Sequence, residues 1–292
     1  MARKKRKHQC VLCKGYFKNY RMSEEHYPAR SVGNEDIVAM DFAKSLDIMM
    51  NSTFSQLIKM GIQNGRNFEE IVSELFDNDL SNSLYPKGRT ARTLCRECNT
   101  FLGVYDEAYK KFFDLDGDPN VIKGFHPNTK NQIIKSIYAK FLSLPECKDE
   151  EFDFIDFVRT NETTYKGVWN IYCTKRDNST DLLGLPHIGA GKITFSEGII
   201  YELSDVKFIY HLMKFEPHEG YRALNIFDIL KKNYRIVEGK DLNDGGYHSN
   251  LMIQQMLPEL CEGFEDFNTY NEIAKEFNQK PGHYQNKSRS IL

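Results

Sequence analysis

Two short cysteine pairs, Cys10-Val-Leu-Cys13 and Cys95-Arg-Glu-Cys98, constrain this chain more than any other feature. A C-x-x-C segment makes a tight knuckle that aims two sulfurs in one direction. Two such knuckles supply four thiolates, the full set that a tetrahedral Zn²⁺ takes in a structural site. No ligand position stays open, so this zinc would hold the fold and not perform catalysis. The ion would tie together points with 81 residues between them, from 14 through 94. Closing so long a loop removes much chain entropy, so metal binding stabilises the folded state. Of seven cysteines, Cys147, Cys173 and Cys261 stand alone. An odd count with paired knuckles favours a metal in a reducing compartment over a disulfide framework. The three lone cysteines read as core fillers.

Charge is distributed unevenly over the 292 residues. The net charge is −2, which excludes a uniformly basic nucleic-acid coat. Residues 1–21, however, hold Arg3, Lys4, Lys5, Arg6, Lys7, Lys14, Lys18 and Arg21 and no acid. Such an arm can displace counterions condensed on a phosphate backbone. The plainer alternative is a solvated tail. No apolar stretch approaches the ~20 residues that span a bilayer. Charged residues follow the basic start where a signal peptide would need an apolar core. The reading is a soluble, cytoplasmic protein with no membrane partner. Aromatics at 13% argue against disorder.

Periodicity gives a coarse architecture. A short extended segment follows the first knuckle. Residues 36–62 carry Ile37, Met40, Ala43, Leu46, Met49 and Met50 at helical spacing, and Asn64-Gly65 breaks the run. Phe68, Ile71, Val72, Leu75 and Phe76 mark a second helix, and residues 77–88 read as a loop. Arg89–Leu94 alternates like a short strand. The second knuckle runs into a helix whose apolar face is Phe101, Leu102, Tyr105, Tyr109, Phe112 and Phe113. A domain boundary is expected near 125, giving residues 1–125 and 126–292. In the second region Ile133, Ile134, Ile137 and Phe141 predict a helix over 128–144. Strands are expected over 167–173, 193–201 and 206–215, and helices over 224–232 and 264–278. The fold class is α+β throughout.

Three segments in order carry the chemistry: Cys-x-x-Cys, then Ser23-Glu24-Glu25-His26-Tyr27-Pro28, then Cys-x-x-Cys-Asn99. Taken singly, a Glu-His pair is common and Asn99 is an ordinary residue for a helix start. The order, and the run from Arg92 through Gly103, resemble the HNH or ββα-metal endonucleases. The likeness is closest to the branch typified by phage endonuclease VII, where zinc knuckles bracket the active site. It covers residues 10–113. A looser likeness extends to stand-alone bacterial and phage HNH proteins with an α/β tail.

That resemblance implies an N-terminal ββα-metal module with structural zinc and a helical insertion at about 35–78. It implies that His26 is the general base for an attacking water, a task suited to imidazole near neutral pH. Asn99 and Glu25 would be catalytic ligands to one divalent cation, Mg²⁺ or Mn²⁺, at the scissile phosphate. The family more often has Asp at position 25, so Glu24 or Asp106 stand as alternatives. Asn34 is a candidate for the middle Asn of the family name. Arg30, Lys87, Arg89, Arg92 and Arg96 join Lys4, Lys5 and Arg6 as candidate phosphate contacts. The implied partner is double-stranded DNA. A homodimer would let two sites cut two strands. Two alternatives stay open: a non-catalytic zinc-ribbon nucleic-acid-binding or adaptor protein, and an RNA-cleaving nuclease of the same family.

Two further motifs fail on inspection. Gly189-Ala-Gly-Lys192 lacks the first Gly and the Ser/Thr of a P-loop. Residues 114–125 misplace the Gly and lack the Glu of a calcium loop. His187, His211, His218, His248 and His283 have no metal-ligand spacing and read as surface or core histidines.

Overall fold

A computed structural model describes residues 7–35, 37–40, 48, 53–75, 78, 80–177, 189–195 and 197–241. Strands β1 (Lys7–Gln9) and β2 (Tyr16–Lys18) form an antiparallel ribbon around the first knuckle. β3 (Glu25–His26) follows. β4 (Ile37–Met40), α1 (Thr53–Gln63), α2 (Phe68–Leu75) and β5 (Ser81–Tyr85) make the insertion. β6 (Thr90–Ala91) returns antiparallel to β3, with Glu25 opposite Ala91 and His26 opposite Thr90. Helices α3 (Arg96–Asp114), α4 (Pro119–Ile122), α5 (Pro127–Phe141) and α6 (Ile155–Arg159) come next. The last described elements are β7 (Asn170–Lys175), β8 (Ala190–Thr194), β9 (Ile199–Ser204), β10 (Phe208–Met213), β11 (Leu224–Asn225) and β12 (Val237–Glu238). They form one sheet in the order β11-β7-β10-β9-β8, with β12 parallel to the end of β7.

Helix α3 forms where expected, because Leu102, Tyr105, Tyr109, Phe112 and Phe113 repeat at three- and four-residue steps. That stripe packs on α5 and on the sheet. Asp114 ends the helix, and Asp118 then caps α4 by accepting from the Asn120 N–H at 2.9 Å. α5 begins with Pro127 at its first position, and the His126 ring accepts from the Asn128 N–H. From Asn131 to Phe141, α5 is buried on nearly every side, lysines included. A helix enclosed this way needs a partner for each charge it carries. Lys135 gives its ammonium to the Thr160 carbonyl at 2.5 Å and lies over the Phe157 ring. Lys140 turns toward β3.

β9 and β10 lie inside the sheet and are buried on both faces. One face, with Ile171, Cys173, Tyr201, Leu203, Phe208, Tyr210 and Leu212, joins α3 and α5 in the main core. The same cluster takes in Cys10, Leu12, Leu94 and Cys95, so residues on both sides of position 125 share it. Tyr109 of α3 binds the buried Asp205 carboxylate and meets the Tyr210 hydroxyl at 2.8 Å. Cys147 and Cys173 are buried core residues, as their isolation suggested. His211 is also buried, and its Nε2 lies 2.9 Å from Glu202.

Several expectations need correction. Of the helix expected over 36–62, Ile37–Met40 is instead a strand paired with Ser81–Tyr85, whereas Ile48 and Thr53–Gln63 are helical; the other residues between them lie outside the described residues. Those partners lie in the stretch read as a loop. The strand expected over 89–94 contracts to Thr90–Ala91. The run 193–201 is the hairpin of β8 and β9, turned near Gly198 at φ +150°. The helix expected over 224–232 is a 3-10 turn, Ile226–Leu230, preceded by the two-residue β11. The helix at 264–278, Cys261, His187, His248, His283, Lys4, Lys5 and Arg6 lie outside the described residues. Among the described residues no helix is long and apolar enough to cross a membrane.

Candidate functional site

Four sulfurs converge where the sequence demanded it. Cys10, Cys13, Cys95 and Cys98 place their Sγ atoms all within 4.8 Å of one another. A tetrahedral zinc with bonds of about 2.3 Å needs sulfurs about 3.8 Å apart, so the donor set fits that ion closely. The first knuckle is closed by the Cys10 N–H on the Gly15 carbonyl and the Lys14 N–H on the Cys10 carbonyl. Lys14 takes a left-handed conformation, φ 60°, to make this turn. The second knuckle is the start of α3, with Cys95 as its N-cap residue and Cys98 in its first turn. The Cys95 N–H donates to Cys10 Sγ at 3.3 Å, joining the two knuckles directly.

The thiols are not equivalent. Burial opposes the Cys10 thiolate, but N–H groups of Cys13, Cys95 and Leu12 outweigh it and bring this thiol below its ordinary value. Burial pushes Cys95 up to about 11 and Cys98 higher still. Four crowded thiols cannot all ionise by themselves. A bound divalent cation deprotonates its thiol ligands outright and removes that conflict.

Backbone bonds lay the second element of the site against the first. The Ser23 N–H donates to the Leu94 carbonyl at 2.8 Å, the Val11 N–H to Thr93 at 2.9 Å, and the Tyr27 N–H to Arg89 at 3.2 Å. The segment 89–95 is thereby gripped between the first knuckle and the stretch that carries Glu25 and His26. Two rungs then connect that stretch to α3. Asn99 Nδ2 donates to Ser23 Oγ at 2.8 Å. Two turns along the same helix face, Asp106 takes the Lys140 ammonium at 2.8 Å, and the same ammonium binds Glu25.

Glu25 thus points inward, with its side chain only 7% exposed, while the adjacent Glu24 is exposed. The resemblance put a divalent cation on Glu25; the structure puts the Lys140 ammonium on its Oε1. Burial alone would lower Lys140, yet Asp106 and Glu25 outweigh burial and hold its ammonium above the ordinary lysine value. Ser136 completes the cluster by donating to Asp106 Oδ1 at 2.8 Å.

His26 is half-buried on β3, and its Nε2 lies 3.1 Å from the Lys87 carbonyl oxygen. A carbonyl can only accept, so this contact selects the tautomer with the proton on Nε2. Nδ1 then keeps its lone pair. The turn that carries Lys87 is tied down two residues later, at Arg89, by the buried Asn34. Asn34 Nδ2 donates to the carbonyls of Pro28 and Arg89, and its Oδ1 accepts from the Arg89 N–H at 2.7 Å. Gly88, between Lys87 and Arg89, has φ +75°, and a Cβ there would sit 2.1 Å from the Asn34 carbonyl oxygen. Only glycine allows that approach.

The arginines near the site are mostly engaged. Arg30 pairs with Glu35 at 2.7 Å and Arg92 with Glu24 at 3.9 Å, both on the surface. Exposed pairs of this kind contribute about 1 kcal/mol or less and can yield to a phosphate. Arg89 lies over the Tyr85 ring at 4.6 Å, and Arg96 is exposed at the start of α3. Sequence reasoning missed Lys140, Ser23 and Ser136. Lys140 shares the helix face of Ile133 and Ile137, and that was the available signal, since a charge on an apolar face requires a buried acid.

No protein-family model, curated protein or solved structure matches the chain. What the geometry defines is a mixed α+β protein with a cluster of four cysteines that could hold a metal such as zinc.

Proposed function

We propose that this chain is a metal-dependent HNH-type endonuclease that hydrolyses DNA phosphodiester bonds. The observation that carries the reading is the convergence of the four sulfurs beside the β3–β6 pair and the first turn of α3. Zinc held by Cys10, Cys13, Cys95 and Cys98 would clamp the strand bearing His26 to the helix bearing Asn99. His26 Nδ1 takes a proton from water as the water oxygen attacks phosphorus and the bond to the 3′ oxygen breaks. The Lys87 carbonyl holds the ring in the tautomer that can do so. Asn99 Oδ1 and the Glu25 oxygen not taken by Lys140 would hold one Mg²⁺ or Mn²⁺. Such a cation supplies charge stabilisation at the phosphate and the leaving oxygen.

Plasmid nicking with Mg²⁺ or Mn²⁺, against a divalent-free control, tests the reading. His26→Ala should lower the nicking rate by about 10²–10⁴-fold, the usual worth of a general base. Zinc content and melting temperature should stay at wild-type values. Undiminished nicking by that variant removes His26 from the mechanism. An inactive wild type with full zinc supports the non-catalytic zinc-ribbon alternative. Glu25→Gln separates two roles: lost cleavage in a folded protein makes Glu25 a ligand, and retained cleavage with lower stability makes it solely the partner of Lys140.

A further inference from the structure

The outer face of the β1–β2 ribbon is built for something other than solvent. Register places Lys7 opposite Lys18, His8 opposite Phe17, and Gln9 opposite Tyr16. Alternation turns the half-buried His8 and Phe17 toward the protein, where Phe17 packs against the main core. Lys7, Gln9, Tyr16 and Lys18 therefore share the opposite, exposed face. Two lysines directly across a strand pair repel each other and destabilise it. Nothing acidic occurs in residues 7–21 to relieve them.

Two large rings are exposed in the same place. Tyr16 is 65% and Tyr20 66% exposed. The Lys18 ammonium lies 6.0 Å from the Tyr20 ring centroid, so ring and charge are presented side by side. Arg21, by contrast, is held back by Glu97 at 2.6 Å and by the Phe17 ring. Exposed aromatic rings set beside cations that have no acidic partner among the described residues suit a polyanion that carries flat rings with free faces. That is an unpaired polynucleotide strand, because a duplex keeps its base faces stacked. An acidic protein surface would satisfy the lysines and leave the tyrosines exposed.

We propose that the outer face of this ribbon binds unpaired nucleotides, with bases stacked on Tyr16 and Tyr20 and phosphates on Lys7 and Lys18. It would thus direct the molecule to single-stranded or frayed segments of its substrate. The proposal rests on the chain acting on nucleic acid, but not on cleavage.

The test is fluorescence anisotropy with labelled dT20, rU20 and a 20-base-pair duplex, using zinc-loaded full-length protein without Mg²⁺ or Mn²⁺. Stacking and phosphates are common to DNA and RNA, so the two single strands show which sugar the ribbon accepts. The double variant Y16A/Y20A should weaken single-strand binding at least about tenfold and duplex binding less than about twofold. Y16F/Y20F should restore wild-type affinity, since the ring faces remain. K7E/K18E should lower the salt slope of single-strand binding by about 1.4, two phosphates at about 0.7 each. Equal losses on single strand and duplex, no loss at all, or heparin competing as well as dT20 at equal charge would overturn the proposal. A nuclease-inactive protein leaves these titrations readable, and flat titrations beside active nicking refute the ribbon alone.

Discussion

Replacing Lys140 by methionine should cost this protein about 3–5 kcal/mol of stability, the range for breaking a buried ion pair by removing one partner. Methionine keeps most of the lysine stem's volume and removes the charge. The Lys140 side chain is 9% exposed and Glu25's 7%, whereas Asp106's is 29%. At the observed 2.8 Å to Asp106, one pair is worth about 6 kcal/mol of attraction at an effective dielectric constant of about 20. Desolvating each ion costs several kcal/mol in return, so the intact trio comes out close to neutral. The damage from Lys140→Met lies in what it leaves: Asp106 can rehydrate far more readily than the more deeply buried Glu25. Glu25→Gln alone should therefore cost only about 1–2 kcal/mol, because Lys140 keeps Asp106. The pair E25Q/K140M should return most of the loss and stand within about 1–2 kcal/mol of wild type.

Urea unfolding followed by tryptophan fluorescence reads this directly, since the chain's single tryptophan, Trp169, is buried in the same core. Linkage adds a second signature. Lys140 is raised above 10.5 in the fold, so the folded state holds its proton more tightly than the unfolded state. Its contribution is complete below 10.5 and declines as pH rises through the raised value. The double variant should lack that alkaline decline. A Lys140→Met protein within about 1 kcal/mol of wild type, or a double variant as unstable as the single, would refute the buried-carboxylate account.

Two other outcomes follow from the site. Cys95→Ser should lower zinc content and melting temperature together, and a chelator should do the same to wild type; unchanged melting with a full zinc equivalent refutes the clamp. Asn34→Ala strands the Pro28 and Arg89 backbone groups and should cost about 2–4 kcal/mol in urea unfolding.

The parts legible in sequence were those specified locally or by unmistakable chemistry. The four-cysteine cluster needed only the two spacings. Helices α3 and α5 announced themselves because Tyr105, Tyr109, Phe112 and Ile133, Ile137, Phe141 repeat at the helical period. β4 was misread because Ile37 and Met40 fit that period by coincidence. Its partner, Ser81–Tyr85, lies more than forty positions on and has little apolar alternation to signal it. The Glu25–Lys140 pair is 115 positions apart, a relation that no local pattern encodes. His26 could be singled out from its neighbours, but its tautomer depends on the Lys87 carbonyl, in a turn that Gly88 permits and Asn34 ties down at Arg89.

The hydroxyl of Tyr109 reaches out of α3 to Asp205 and Tyr210, 96 and 101 positions downstream. The helix that begins at the four-cysteine cluster is therefore seated, in its second half, on the interior strands of a sheet the N-terminal motif does not contain. Such a helix behaves as a lever with both ends pinned. Softening the sheet at Asp205 would tilt the first turn of the helix, and with it the cysteines and Asn99, without touching any residue near them. A survey confined to the motif would overlook substitutions of that kind, although they act on the same atoms.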